Sequence, residues 1–405
     1  MIRVCIITAM LLLLQACSDT QPASHYVQAE LEAWIQYGNE AERRTIQQQV
    51  SHFNELQDAV RINAVILPPG DYRQQVDDAA VSGGLPDILE LDSATVGYHA
   101  WHDQLQPIDK LLTDSIRIDL LPSLLTQNML QGRLYAVSPN SRVMVLYARH
   151  SMLERAGVKV PGRMSAATFA GLIEGLAVND HPVIELHHQR GEQWLAEALL
   201  PLVASGDAHV NELEDLATRL DAPLTLRLLE QMQGWFTHGV IDNSDDDVFL
   251  KGRVPLALAS QAEFEAYHRA WKDDLLILPL GRNGLWADRS WGISRDCRDT
   301  RIAMRFIEFL LQADEILMMA DASDTLPATR SALQMSSRYQ VDGTRVFDSV
   351  LLEHGSSSHV ASPAYPQLRR RFYRLLQSIA ADAVVSDQTG RAVEDMRPII
   401  ASYQE

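Results

Sequence analysis

The stretch GRLYAVSPNSRVMVLYARHSMLERAGV, from Gly132 to Val158, decides the fold because its periodicity changes along its length. Extended segments lie on both sides of Pro139, which has no N–H for a sheet ladder and favours an extended conformation at Ser138. After Tyr147 the apolar residues take helical spacing, and Gly157 stands where a left-handed cap would end a helix. We therefore predict that one sheet ends before Pro139 and a second begins after it.

The segments upstream of this stretch alternate between strand and helix patterns. Strands are predicted at 31–36, 60–67 and 85–91, with helices at 40–56 and 71–80 between them. The last strand, LPDILEL, is apolar on both faces, as a parallel strand covered by helices should be. This order predicts a parallel sheet with helical crossovers. A second alternation follows residue 158, so we predict an α/β protein with two lobes.

Three segments resemble the extracellular solute-binding proteins of the maltose and multiple-sugar type, which deliver ligands to ABC importers. They are LEAWIQYGNEAERRTIQQQVSHFN at 31–54, GGLPDILELDS at 83–93, and YAVSPN with VLYARHSMLERAGV at 135–158. The resemblance implies a two-lobe periplasmic-binding-protein clamshell, each lobe a parallel-rich sheet flanked by helices, with several hinge crossovers between them. We expect lobe one to comprise 30–139 plus 292–335, and lobe two to comprise 140–291 plus 336–405.

The same resemblance implies a function. We expect a receptor that captures a mono- or oligosaccharide by hinge closure, passes it to an ABC transporter permease and catalyses no reaction. No Gly-x-Ser-x-Gly elbow, P-loop or Gly-x-Gly-x-x-Gly motif is present in the sequence. Three alternatives stay open: a ligand sensor for a signalling partner, a receptor for a cationic solute such as a polyamine, and an exported glycan hydrolase. The acidic side chains of Glu90 and Asp92 favour the cationic solute.

The N-terminus has the pattern of an export signal. Arg3 precedes an apolar run from Val4 to Leu14, which is too short for a membrane span of about 20 residues. Ala16 before Cys17 resembles a bacterial lipobox. We expect residues 1–16 to be a signal peptide, Cys17 to carry a lipid, and 17–29 to form a tether, which would anchor the protein in the cell envelope or periplasm. Ordinary signal-peptide cleavage nearby is the alternative.

Composition restricts the partners. Removing residues 1–16, whose only charge is that of Arg3, takes the net charge from −18 to −19, which disfavours nucleic acid. Cys297 is then the only cysteine besides the proposed lipid carrier, so no intramolecular disulfide is expected. We expect a monomer that contains no metal or cofactor.

Ligands of open α/β sheets lie beyond the carboxyl ends of the strands. Sugar recognition needs aromatic faces for the C–H side of the ring and planar polar groups for the hydroxyls. The residues of these types at the predicted strand ends and crossovers are Gln36, Tyr37, Asn39, Asp92, Ser93, Asn140, Arg142, Trp194, Ser260, Gln261, Trp286 and Trp291.

Several of these residues have a structural alternative. Asp92, Ser93 and Gln261 could cap the helices that follow them. Arg142 could form a salt bridge across the hinge, and Trp194 could be a core residue of an amphipathic helix. Of Trp286 and Trp291, we expect one to line the cleft and the other to be buried.

Overall fold

The computed structural model describes residues 29–36, 38–161, 164–177, 182–186, 199, 220, 222–242, 247–280, 284–338, 344–352 and 362–403. Residues 1–28, with the expected signal peptide, Cys17 and most of the tether, lie outside these ranges, as do Tyr37 and Trp194.

Within these ranges the chain forms fourteen strands in three sheets. The strands are β1 (Ala29–Gln36), β2 (Val60–Leu67), β3 (Ile88–Asp92), β4 (Met129–Leu130), β5 (Arg133–Leu134), β6 (Ala136–Val137), β7 (Asn140–Arg149), β8 (Ile184–Glu185), β9 (Ile241–Asp242), β10 (Leu256–Ser260), β11 (Leu275–Pro279), β12 (Leu285–Ala287), β13 (Arg289–Ile293) and β14 (Leu326–Pro327).

The α-helices of the described residues cover both large sheets. They are α1 (Glu40–Leu56), α2 (Pro69–Ser82), α3 (Val96–Trp101), α4 (Asp114–Asp119), α5 (Pro122–Gln127), α6 (His150–Arg155), α7 (Ala166–Leu176), α8 (Pro223–Thr237), α9 (Phe264–Trp271), α10 (Thr300–Leu310), α11 (Ala313–Ser323), α12 (Arg330–Met335), α13 (Arg345–Leu352), α14 (Tyr365–Ala380) and α15 (Val385–Ala401).

The first sheet has the strand order β2-β1-β3-β13-β6. β1 is parallel to β2 and β3, as the β-α-β-α-β pattern predicts. β13 returns from the second half of the chain and runs antiparallel to β3 and β6. The carboxyl ends of β1 and β3 therefore lie at the same edge of this sheet.

Helix α1 begins directly beyond that edge. The side chain of Asn39 caps the helix by accepting a hydrogen bond from the Glu42 N–H at 2.9 Å. Ile46, Val50 and Phe53 lie on one face and are buried in the core of the first sheet. The helix thus has its polar first turn next to the ends of the strands, and its apolar face fixes it on the sheet.

The second sheet has the order β11-β7-β10-β8-β9, with β12 and β14 also paired to β7. β10, β8 and β9 are mutually parallel, and β7 is antiparallel to β10 and β11. One core cluster of this sheet includes residues of α7, α8 and the C-terminal helices α14 and α15. Both sheets are therefore mixed, since each contains parallel and antiparallel pairs.

The chain passes between the two sheets next to Pro139. β6 belongs to the first sheet and β7 to the second, so the predicted change of sheet at this proline is confirmed. β12 and β13, on either side of Asp288, make a second passage, and β14 brings the chain back to β7. Residue 141 of β7 is in register with both Ala287 and Leu326, so all three passages lie side by side. The lobe bounds given above remain a prediction.

Candidate functional site

A cavity lies at the carboxyl edge of the first sheet, where α1 begins and the chain passages meet. It contains about 420 Å³ of space not filled by protein atoms, part of it open to solvent. Its walls come from α1, β3, β13, α10 and α11, and from the passages at 139–140 and 288–289. Binding sites of α/β proteins form at such strand ends.

Charged side chains form most of its polar wall. The Arg289 guanidinium lies 2.8 Å from the Glu42 carboxylate and donates to the Gln36 carbonyl at 2.7 Å. Its distance to the Glu90 carboxylate is 3.6 Å, which is beyond a good hydrogen bond. Glu42 is in α1, Glu90 in β3 and Arg289 in β13, so three elements of the first sheet are joined here.

A second ion pair joins the passages. The Nε of Arg142, in β7, lies 2.6 Å from the carboxylate of Asp288. Its guanidinium also donates to the Ser323 carbonyl at 3.4 Å. The salt bridge that we considered as a structural role for Arg142 is therefore present. A contact between Arg142 and a ligand stays a prediction.

Burial and the neighbouring charges together shift the pKa values of these groups. Burial raises the pKa of Glu90 from 4.5 to about 7, although Arg289 opposes the shift. Burial alone would also raise the pKa of Asp288, but the charges of Arg142 and Arg289 outweigh it, and that pKa is lowered. Arg289 stays protonated because burial, which lowers its pKa, is outweighed by the acids around it, first Glu90 and then Asp288 and Glu42.

Asn140 contributes an unsatisfied group to the same cavity. Its side chain is 3% exposed, and its Nδ2 donates to the Ile316 carbonyl at 3.4 Å. Among the described residues, its Oδ1 has no hydrogen-bond partner. An unpaired buried acceptor is destabilising, so a native one calls for an explanation.

Trp286 and Trp291, in the second passage, lie in different surroundings. Trp291 is buried in the core of the first sheet, contacts Phe306 edge-to-face and also lines the cavity. Trp286 is in register with Arg142 across β12 and β7, and its side chain lies outside the described residues. Which tryptophan contacts a ligand stays a prediction.

The predicted residues at the end of β1 are used in the fold. The Gln36 N–H donates to a carboxylate oxygen of Glu90 at 2.8 Å, and the Gln36 amide donates to the Glu90 carbonyl at 3.3 Å. Asn39 caps α1, as described above, and its Nδ2 also donates to a carboxylate oxygen of Glu42 at 3.1 Å. Both residues therefore hold the acids that line the cavity.

The predicted residues at the end of β3 point towards the second half of the molecule. The Asp92 carboxylate caps the short 3₁₀ helix Ser93–Thr95 by accepting from the Ala94 N–H at 3.0 Å. Its other oxygen lies 3.5 Å from the guanidinium of Arg369 in α14. The Ser93 hydroxyl donates to the Ala287 carbonyl of β12. Capping and contact between the two halves therefore occur together.

Ser260 and Gln261 lie at the end of β10. The Ser260 hydroxyl accepts from the Ala262 N–H and donates to the Glu263 carboxylate, which caps the next helical turn. The Gln261 Oε1 accepts from the Val143 N–H at 2.7 Å, and its Nε2 donates to the Asp324 carbonyl at 2.7 Å. This amide thus links β10 to β7 and to the end of α11.

Two predicted residues, Asn140 and Trp291, line the cavity. Gln36 and Arg142 contact the lining acids Glu90 and Asp288. Neighbouring strand ends hold Asp92, Ser93, Ser260 and Gln261. Sequence reasoning did not select Glu42, Asp288 or Arg289. Glu42 occupies the first turn of the helix that follows a parallel strand, Asp288 directly precedes the returning strand β13, and Arg289 is its first residue. Charged residues at such positions are the signal that could have found them.

Two further observations concern the described residues. None of their helices has both the length and the apolar character needed to span a membrane. No group of three or more His, Cys, Asp or Glu side chains in these ranges is arranged to hold a metal ion.

Known proteins share this fold. The GacH receptor of Streptomyces glaucescens, solved unliganded and with acarbose, is 17% identical, covers 93% of this chain and 100% of its own, and gives a TM-score of 0.71. The sugar-binding protein MalE of Xanthomonas citri is 16% identical over 92% of this chain and 98% of its own, with a TM-score of 0.73. Identities this low show the fold alone.

A curated relative matches over a shorter segment. The mannitol-binding protein of Pseudomonas aeruginosa is 29% identical over 113 residues, which is 27% of this chain and 25% of that protein. The match thus spans a quarter of the relative's length. The family model described as bacterial extracellular solute-binding protein matches residues 48–345. Since these residues include β2 to β14 and most of the cavity wall, the chain belongs to the bacterial extracellular solute-binding protein family.

Proposed function

We propose that this protein is the receptor of an ABC importer for a carbohydrate, which it binds between its two lobes and presents to the permease unchanged. The observation that carries the proposal is the polar cavity at the carboxyl edge of the first sheet, beside the three chain passages. A site between two bodies joined by such passages can close by rotation about them. The sugar-binding neighbours of the same fold support a carbohydrate as the ligand.

The moving bodies are lobe one, 30–139 plus 292–335, and lobe two, 140–291 plus 336–405. A ligand drives closure only through contacts that it makes better in the closed form. Two contacts already join the lobes: Asp92 with Arg369, and Ser93 with Ala287. We expect the contacts between ligand and closed form to lie along this boundary between the lobes. Hydroxyls would bond Gln36, Asn39, Asn140 and Arg142, and sugar rings would stack on Tyr37, Trp194 and one of Trp286 and Trp291. Ser260 and Gln261 complete the proposed set.

The receptor would be exported and held at the membrane by a lipid on Cys17, as a monomer. A lipid anchor suits a protein with this net charge, because its negative surface repels anionic headgroups.

The test combines ligand identification with calorimetry. Native mass spectrometry of the purified protein identifies a retained small molecule, and titration with a panel of neutral, amino and acidic mono- and oligosaccharides measures affinity. We expect saturable binding of at least one carbohydrate, with the compound recovered chemically intact. Absence of binding across the whole panel, or recovery of a cleaved product, would contradict the proposal.

A further inference from the structure

The charges around the cavity are unequal in number. Three carboxylates, Glu42, Glu90 and Asp288, line the cavity together with the Arg289 guanidinium, and a second guanidinium, that of Arg142, contacts Asp288. Arg142 is held by Asp288 at 2.6 Å, and Arg289 by Glu42 at 2.8 Å. Glu90 shares Arg289 with Glu42 at the longer distance of 3.6 Å, so these carboxylates outnumber the guanidinium groups by one.

Glu90 is also the acid whose charge is least well stabilised. It is 4% exposed, and burial raises its pKa to about 7 in spite of Arg289. Its nearest cation, Arg289, is shared with Glu42 and does not offset the cost of burying the Glu90 charge.

A second, independent observation also indicates a ligand. Asn140 is 97% buried (3% exposed) and lines the same cavity, and its Oδ1 has no partner among the described residues. Like the carboxylate of Glu90, this atom is a hydrogen-bond acceptor. The Glu90 carboxylate accepts from the Gln36 N–H at 2.8 Å, whereas Asn140 Oδ1 accepts from no described group, and both can accept from a donor placed in the cavity.

We propose that this cavity binds the ammonium group of an amino sugar, with Glu90 as its counter-ion and Asn140 Oδ1 as a neutral acceptor. An ammonium group carries three donors and no acceptor, which complements both groups. The same charges disfavour uronic acids and sugar phosphates, because a ligand anion would meet a surplus of carboxylate. The inference rests on the proposed function, since it names the class of carbohydrate for the same site.

The test compares matched sugars by calorimetry at pH 7, at which the amino group of the amino sugars is largely charged. The probes are D-glucosamine, N-acetyl-D-glucosamine, D-glucose and D-glucuronate, together with the chitosan disaccharide and its N-acetylated counterpart. We expect an amino sugar to bind at least ten-fold more tightly than its N-acetylated counterpart, and no binding of glucuronate.

Two variants locate the effect. Glu90→Gln, which keeps the shape of the side chain, should lower amino-sugar affinity at least five-fold and abolish the preference over the acetylated sugar. Asn140→Leu should weaken amino-sugar binding several-fold even if the first variant folds poorly. Glu55→Gln, which removes one exposed negative charge from α1, serves as the matched control and should retain the wild-type preference.

The outcomes separate the two proposals. Equal or tighter binding of the neutral sugars, with Glu90→Gln affecting all sugars alike, would overturn the amino-sugar inference and leave the carbohydrate receptor in place. Binding of no sugar would overturn both.

Discussion

The carboxylate of Asp92 lies 3.5 Å from the guanidinium of Arg369. Asp92 ends β3 of the first sheet, whereas Arg369 is in α14, whose apolar face packs in the core of the second sheet. The Arg369 side chain is 11% exposed and that of Asp92 25% exposed. This ion pair therefore joins the two halves of the protein in a partly desolvated position.

We expect the pair to stabilise the closed form. Asp92→Asn should weaken ligand affinity about three- to ten-fold, because a partly buried charge pair contributes about 1 kcal/mol and the loss falls on the closed state. Calorimetry with the bound sugar measures the effect. Arg374→Gln, an exposed position on the same helix, is the control. Affinity unchanged by Asp92→Asn would show that the pair plays no part in closure.

Substitution of Gln261 by alanine is expected to lower the free energy of unfolding. Gln261→Ala removes the acceptor of the buried Val143 N–H and the donor to the Asp324 carbonyl. Leaving a buried N–H without a partner costs about 1–3 kcal/mol. Urea unfolding followed by circular dichroism should show this decrease, whereas Gln377→Ala at an exposed position of α14 should change stability by less than about 0.5 kcal/mol. Equal effects of the two substitutions would contradict the assigned role.

Trp291 is expected to stabilise the core of the first sheet, whether or not it also contacts a ligand. Trp291→Ala should lower the free energy of unfolding by about 3–5 kcal/mol, because the side chain is buried against Phe306. Trp291→Phe keeps an aromatic ring at this position and should cost less. Urea unfolding by circular dichroism compares the two. A cost for Trp291→Ala below about 1 kcal/mol would mean that the residue is not part of the core.

The ionisation of Glu90 is expected to make the free energy of unfolding depend on pH. Its pKa in the folded protein is about 7 against an ordinary value of 4.5. The folded state therefore binds more protons than the unfolded chain between these values, so the Glu90 contribution to the free energy of unfolding falls as the pH rises from about 4.5 to about 7. Glu90→Gln lacks this loss. Relative to wild type, the variant should gain on the order of 2–3 kcal/mol between pH 4.5 and pH 8 in urea unfolding. Parallel profiles of the two proteins would contradict the burial of an ionisable Glu90.

The lipid anchor gives a cellular prediction. Cys17→Ala should move the protein from the membrane fraction to the soluble envelope fraction. Cys297→Ala should leave it at the membrane, because this thiol is buried and burial raises its pKa to about 12. Fractionation with immunodetection measures both. Membrane retention of Cys17→Ala would contradict a lipid anchor on Cys17.

Local patterns predicted the fold well because they act over a few residues. Pro139 separates the two sheets, Gly157 has a φ of 68°, and β2 occupies 60–67 as predicted. The start of α2 was wrong by two residues: it begins at Pro69, because proline is favoured in a first helical turn, and Asp71 lies inside the helix.

The site was less predictable because its contacts join distant parts of the chain. Arg289 and Glu42 are 247 residues apart, and no spacing rule connects them. Gln261 was selected as a ligand contact from its place after a strand, but spacing could not indicate that its amide holds Val143 and Asp324. The general rule of ligand sites at strand ends located the region, and only the packing of three passages shows which charges face one another there.

In the proposed mechanism, the two lobes close over a small molecule. Small-angle X-ray scattering of the purified protein, with and without a saturating concentration of the sugar that calorimetry identifies, measures this most directly. We expect a smaller radius of gyration in the presence of the sugar, and a weaker compaction for Asp92→Asn at the same concentration. Unchanged scattering of a protein that calorimetry shows to be saturated would contradict closure.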